Sequence, residues 1–161
     1  MIAAMRPLRA ALALCAAALA LAACAAPRPR RVPPPPPSPL AKAIIRAARR
    51  YLPEESAGLS TPRDCSDFVR RVFRARGVRL PRTAAEMSRL GRPVDSTRDL
   101  RMADLLFFSG RSGGRRVGHV AIYVNNGIFI HEANPGEGVR LESLYSDYYR
   151  RRYLEARRVV N

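Results

Sequence analysis

Apolar residues follow three different rhythms along this chain of 161 residues. From Ala10 to Ala26 they are unbroken. Between 40 and 90 they return every third or fourth position, and beyond 104 they come in short runs separated by turn residues. Leu40, Ala43, Ile44, Ala47, Ala48 and Tyr51 form one helical stripe, with Ser38 as N-cap, Pro39 at the first helical position and Pro53 stopping it after Leu52. Phe68, Val69, Val72, Phe73 and Ala75 form a second stripe, capped by Asp64 and closed at Gly77. Thr83-Ala84-Ala85-Glu86 has the spacing of a capping box and opens a short third helix that ends before Gly91. The second half reads as strands at 105–108, 117–124, 128–133, 139–144 and 153–160, with Asn125-Asn126-Gly127 turning the second into the third. Helices first and strands second predict an α+β domain over residues 40–161: N-terminal helices packed on a C-terminal antiparallel sheet of about five strands.

Charge alters this picture little. The formal net charge is +16 and the pI about 11.4, yet Lys42 is the only lysine and the arginines are spread over every segment. Such a spread, in a chain whose start reads as an export signal, argues against nucleic acid as a partner. Arg6 and Arg9 precede the apolar run, which at 17 residues is short for a membrane span of about 20. Within it, Leu21-Ala22-Ala23-Cys24 resembles the bacterial lipoprotein cleavage box, in which the Cys becomes the lipid-modified N-terminus. The reading is a signal peptide over 1–23, a lipid on Cys24 that holds the chain to a membrane, and sorting to the periplasmic face of the outer membrane, since Ala25 follows the Cys. Eight prolines between 27 and 39 predict a polyproline II spacer there, which at ~3.1 Å per residue reaches about 40 Å, within a lipid-anchored Pro-rich linker over 24–39.

Cysteine usage is more informative. Cys15 leaves with the leader and Cys24 is acylated, so Cys65 is the one free thiol of the mature chain. Outside the cytoplasm an unpaired Cys is either buried and inert or used. Placed in the first turn of a helix, over free N–H groups and the positive end of the dipole, its thiolate is favoured. The only histidines are His119 and His131, one on each arm of the Asn126-Gly127 hairpin. A two-residue loop would pair 125 with 128 and put the rings on opposite faces; a three-residue loop, 125–127, pairs 124 with 128 and puts both on one face. The expectation is the three-residue loop, with Gly127 in the left-handed position. Cys65 as nucleophile, His119 as general base and acid, and His131 orienting His119 then fill the roles of a cysteine-dependent acyl transfer, with Glu132 and Asn134 as fallback third members. One thiol and two imidazoles at no zinc-ligand spacing argue against a metal site, and the chemistry needs no cofactor.

Taken together, Asp64-Cys65-Ser66-x-Phe68-Val69, Leu80-Pro81-Arg82-Thr83, Asp104-Leu-Leu-Phe-Phe108, Gly118-His119-Val120-Ala-Ile122-Tyr123, Asn126-Gly127 and Phe129-Ile130-His131 resemble the NlpC family of papain-like cell-wall cysteine peptidases. The resemblance covers 40–161. It implies hydrolysis of peptidoglycan stem peptides, at a γ-D-glutamyl–diaminopimelate bond or a D-alanyl–diaminopimelate cross-link, by a monomer. It also carries the Cys–His–His roles to Cys65, His119 and His131. This chain departs from the family where Asp67 replaces a Gly and Met102-Ala103 replace Pro-Gly. It also lacks, over 53–62, a Tyr that the family places about ten residues before the Cys. Oxyanion stabilisation would then fall to the Cys65 backbone N–H. Asp67 is expected to raise the Cys65 pKa by like-charge proximity. Two other classes share these residues: a peptidoglycan-binding scaffold lipoprotein without activity, and an amidase or acyltransferase.

Overall fold

The computed structural model describes residues 35–110, 113–134 and 136–160. The leader, Cys24 and the spacer as far as Pro34 lie outside these, so the expectations placed on them find no counterpart here. Among the described residues no helix is long and apolar enough to cross a membrane.

Each predicted cap is made. Ser38 Oγ accepts the Ala41 N–H at the head of α1 (Pro39–Arg49), a helix that stops short of Leu52 and closes in two tight turns before Pro53. Asp64 accepts the Asp67 N–H at the head of α2 (Cys65–Arg74). That helix is closed over Gly77, at φ 79°, by a Val78 N–H to Phe73 carbonyl bond. Thr83 and Glu86 complete the reciprocal capping box of α3 (Ala84–Met87).

Six antiparallel strands follow: β1 (Arg92–Pro93), β2 (Leu105–Ser109), β3 (Val117–Asn125), β4 (Ile128–Glu132), β5 (Val139–Ser143) and β6 (Tyr153–Arg158), in the order β1-β6-β2-β3-β4-β5. The sequence pattern missed only β1, two residues of edge that pair with β6 and tolerate Pro93 for that reason. One face of the sheet, through Phe107, Val120, Ile122, Val124 and Ile130, packs under α1 and α2 on Ile44, Ala48, Phe68, Val72 and Phe73. The other face carries Leu106, Phe108, Ala121, Tyr123 and Phe129, covered by Leu144 and Tyr149.

Two expectations need correction. The helices are not confined to the first half: α4 (Asp147–Arg152) lies between β5 and β6 and supplies Tyr149 to the second core. Its six residues are too few to show a helical period in the sequence. The hairpin also turns differently. Asn126 (φ 48°) and Gly127 (φ 76°) form a two-residue turn of the type I′ kind, pairing Asn125 with Ile128. Val124 is then left over as a bulge, so that Tyr123 pairs with Phe129 and Ile122 with Ile130. The bulge restores by one residue the parity that the shorter turn would have lost, and the two histidines still share a face.

Candidate active site

β3 and β4 deliver His119 and His131 to the face opposite α1 and α2, among Phe108 and Phe129, whose rings lie 6.1 Å from His119 and 5.2 Å from His131. His119 Nε2 and His131 Nδ1 are 2.8 Å apart, and His131 Nε2 is 3.3 Å from the Tyr149 hydroxyl. Arg140 donates a further hydrogen bond to that hydroxyl. No local sequence signal marks Tyr149, because it is α4 that brings it to the histidines. Burial lowers both imidazoles, His119 to about 4 and His131 to about 3, the latter helped by His119 and Arg140. Both rings are therefore neutral at pH 7.

Cys65 opens α2 and is partly buried against the helix-side core. Its sulfur accepts hydrogen bonds from the N–H groups of Val120 and Ser66. The Val120 N–H belongs to the peptide that joins His119 to Val120, so the thiol lies one peptide from the first histidine. The expected depression of its pKa is overturned: burial pushes the thiol up, and the Asp64 and Glu132 carboxylates add to this against the two N–H groups. Asp67 contributes differently from the expectation. Its carboxylate is taken up by the Arg63 N–H at 3.0 Å and Arg71 at 2.8 Å, bonds that hold it below its usual range against burial.

Asp64 is similarly committed. Arg82 reaches both of its oxygens, at 2.5 and 3.2 Å, and Ser66 Oγ lies between them, accepting from Arg82 at 2.6 Å and donating to Asp64 at 2.7 Å. Against burial, these bonds hold the Asp64 carboxyl low. Arg82 and Arg63 thus make structural ion pairs with Asp64 and Asp67. Glu132 alternates with His131 and so faces the helix side with Val120; it is buried, and burial with the nearby Asp64 and Glu137 charges raises its pKa. Asn134 lies past the strand and donates to Glu137 at 3.1 Å.

The backbone is informative at one departure from the family pattern, Ala103, and at one position that matches it, Gly118. Ala103 holds φ 70° in the core, a conformation that suits the glycine usual at this position. Gly118 crosses Gly110 so closely that a Cβ would stand 2.6 Å from the Gly110 Cα, next to the β2–β3 bulge that aims His119.

Comparison with known proteins bears on the family and the fold. Murein DD-endopeptidase MepS/Murein LD-carboxypeptidase of Escherichia coli (strain K12) is 43% identical over 99 residues, 61% of this chain and 50% of that protein. Gamma-D-glutamyl-L-lysine dipeptidyl-peptidase of Bacillus subtilis (strain 168) is 32% identical over 97 residues, 59% of this chain and 32% of that protein. The chain spans about half the length of the curated relatives it matches first. Among solved structures, an NlpC/P60 family protein from Bacillus cereus ATCC 10987 superposes with a TM-score of 0.65 at 29% identity, over 78% of this chain and 42% of that one. A protein described as similar to lipoprotein, NLP/P60 family, from Staphylococcus aureus subsp. aureus Mu50 gives 0.64 at 28% identity, over 81% of this chain and 45% of that one. The model of the NlpC/P60 family matches residues 54–158, from the loop before Cys65 to the end of the last strand, and the chain belongs to that family.

Proposed function

We propose that this chain is a peptidoglycan hydrolase, a cysteine endopeptidase that cuts stem peptides or their cross-links, with Cys65 as nucleophile, His119 as general base and acid and His131 as its orienting partner. The observation that carries the reading is the ordered line of polar groups at the start of β3: a sulfur bonded to the peptide after His119, then His119, His131 and Tyr149 in hydrogen-bond sequence. With Nε2–H of His119 donating to Nδ1 of His131, and Nε2–H of His131 donating to the Tyr149 oxygen, Nδ1 of His119 is left as a bare acceptor. That is the tautomer a base for a thiol requires.

Both groups rest neutral, so proton transfer to His119 accompanies attack on the carbonyl carbon. The sulfur–carbon bond forms, the tetrahedral oxyanion meets the Cys65 backbone N–H, which has no intrahelical acceptor at the first position of α2, and His119 returns the proton to the leaving amine. Water then releases the acyl group by the same exchange in reverse. The names of the relatives, a murein DD-endopeptidase and a γ-D-glutamyl-L-lysine dipeptidyl-peptidase, support this substrate class.

Digestion of purified peptidoglycan by the protein, followed by mass spectrometry of the fragments, tests the reading against a Cys65→Ala control. New fragments with the wild type alone are expected; identical fragments from both refute it. The buried, raised thiol and the missing upstream Tyr favour a second reading, a binder that does not cleave, which the same digestion separates.

The envelope location belongs to the same proposal. The Leu21–Cys24 box supports a lipid anchor on Cys24 followed by the proline spacer, and sorting to the periplasmic face of the outer membrane. Metabolic labelling with radioactive palmitate should mark the wild type and leave Cys24→Ala unlabelled; equal labelling would exclude this anchor.

A further inference from the structure

Beside His119, on the face away from α2, the surface opens into a hollow of about 570 Å³ lined by His119, Arg140, Ser146, Tyr148, Tyr149 and Arg152. Its two cations differ. Arg140 is neutralised by Glu137 at 2.8 Å and Glu142 at 2.9 Å. Arg152 has no carboxylate partner among the described residues; its guanidinium lies 3.9 Å over the Tyr148 ring. Its Nε is buried with no acceptor. Ser146 Oγ is also buried without a partner, and although it stands at the head of α4 it does not cap it. Buried donors without acceptors are rare in folded proteins, and here an orphaned hydroxyl and an orphaned guanidinium nitrogen line one hollow. A carboxylate, with one charge and two acceptor oxygens, is the ligand class that an unpaired guanidinium and a hydroxyl would take.

The position of the hollow assigns the ligand. His119 gives its proton to the amine that departs, so the leaving half of the substrate lies on the histidine side. In a D-alanyl–diaminopimelate cross-link the carbon bearing that amine also bears a carboxyl group. We infer that the hollow is the leaving-group subsite, and that Arg152 and Ser146 bind the diaminopimelate carboxylate next to the scissile amide. This rests on the reading of Cys65 and His119 given above. The chemistry is unchanged by it: the carbon–nitrogen bond breaks as the sulfur–carbon bond forms, the amine takes the His119 proton, and Arg152 only holds the departing fragment in line.

The test compares two cross-linked muropeptide dimers, one with that carboxyl group free and one with it amidated, on the full chain. The wild type should prefer the free acid by about tenfold in kcat/KM, the effect of one charge-assisted pair of hydrogen bonds. In Arg152→Ala the KM for the free acid should rise to that for the amide, with kcat changing less; Ser146→Ala should give a smaller rise. Arg152→Lys should restore part of the preference. A preference that survives in Arg152→Ala, or a wild type indifferent to amidation, overturns the subsite. Binding of free diaminopimelate to Cys65→Ala, followed by NMR shifts at 146 and 152, reads the subsite without turnover. Binding that needs Arg152 alongside a wild type that cleaves neither dimer would sink the catalytic reading and keep the subsite. Absence of Arg152-dependent binding would sink the subsite whatever the enzyme cleaves.

Discussion

Acidification should weaken this fold through its histidine pair. In the unfolded chain both imidazoles take up a proton near pH 6.5, whereas in the folded protein His119 does so only at about 4 and His131 at about 3, because burial disfavours the cation. Between those limits the unfolded state binds more protons, so stability rises with pH and is lost as pH falls below 6.5. At 1.36 kcal/mol per pH unit, the drop from 6.5 to 5 costs about 2 kcal/mol for each ring. That is a large part of a typical margin of about 5–15 kcal/mol. Glu132, whose pKa is raised, works the other way: its contribution falls as pH rises through the same region. A difference between variants removes it. Urea unfolding of wild type and His131→Gln at pH 5, 6 and 7 should show that the wild type loses about 2 kcal/mol more than the variant between pH 7 and 5. Parallel pH dependences in the two proteins would refute the claim that the rings are held neutral by burial. On the role proposed for His119 as base, the same neutrality puts the acid limb of kcat/KM for the folded protein near pH 4 and not near 6.5.

Four further outcomes follow from other contacts. Asp104→Ala should destabilise by about 3–5 kcal/mol in chemical denaturation, because it strands Arg158 in the core without the bonds of 2.6 and 2.7 Å that now pair it. Gly118→Ala, which forces apart the Gly110 crossing, should lower kcat by displacing His119 while circular dichroism stays that of a folded protein; unchanged kcat would show the crossing to be slack. Tyr149→Phe removes the hydroxyl that His131 Nε2 meets and should lower kcat about tenfold, the equivalent of roughly 1.4 kcal/mol, with little change in KM; a change in KM alone would place Tyr149 in substrate binding. Glu132→Gln removes a negative charge near the sulfur, so iodoacetamide should alkylate Cys65 faster at pH 8 than in wild type, and an equal or slower rate counts against that electrostatic coupling.

What could be read from the sequence is what neighbours within a few residues determine. Ser38, Asp64 and the Thr83–Glu86 pair each satisfy N–H groups of their own first turn, and each cap appears where the local pattern put it. The fold class and the common face of the two histidines were legible for a related reason: alternation in β3 and β4 is written in the apolar residues themselves. The turn between them shows where locality fails. Asn126-Gly127 prefers a two-residue turn, and the structure obeys it; yet Phe129 and Ile130 must each bury against a different core, and that demand fixes the pairing further along. Local turn chemistry and distant packing disagree by one residue, and Val124 absorbs the difference as a bulge. A reading from parity alone reached the correct face by assigning the extra residue to the loop.

The thiol shows the same competition in electrostatic form. The helix start argues for a depressed pKa, and the Ser66 and Val120 N–H groups do pull in that direction. Burial and two carboxylates outweigh them, one of which, Glu132, arrives from a strand that no local pattern links to Cys65. Asp64, the residue that caps the helix, is also one of the charges that opposes ionisation at its first turn, an effect that Arg82, bonded to both of its oxygens, moderates. On the roles proposed for Cys65 and His119, the thiol stays protonated until substrate arrives, and activation depends on transfer to His119 and not on a standing thiolate. A protonated thiol also resists oxidation, since the thiolate is the form that oxidises. The tautomer proposed for His119 then matters more than it would beside a preformed ion pair, because on that reading the imidazole acts as the base at the moment of attack.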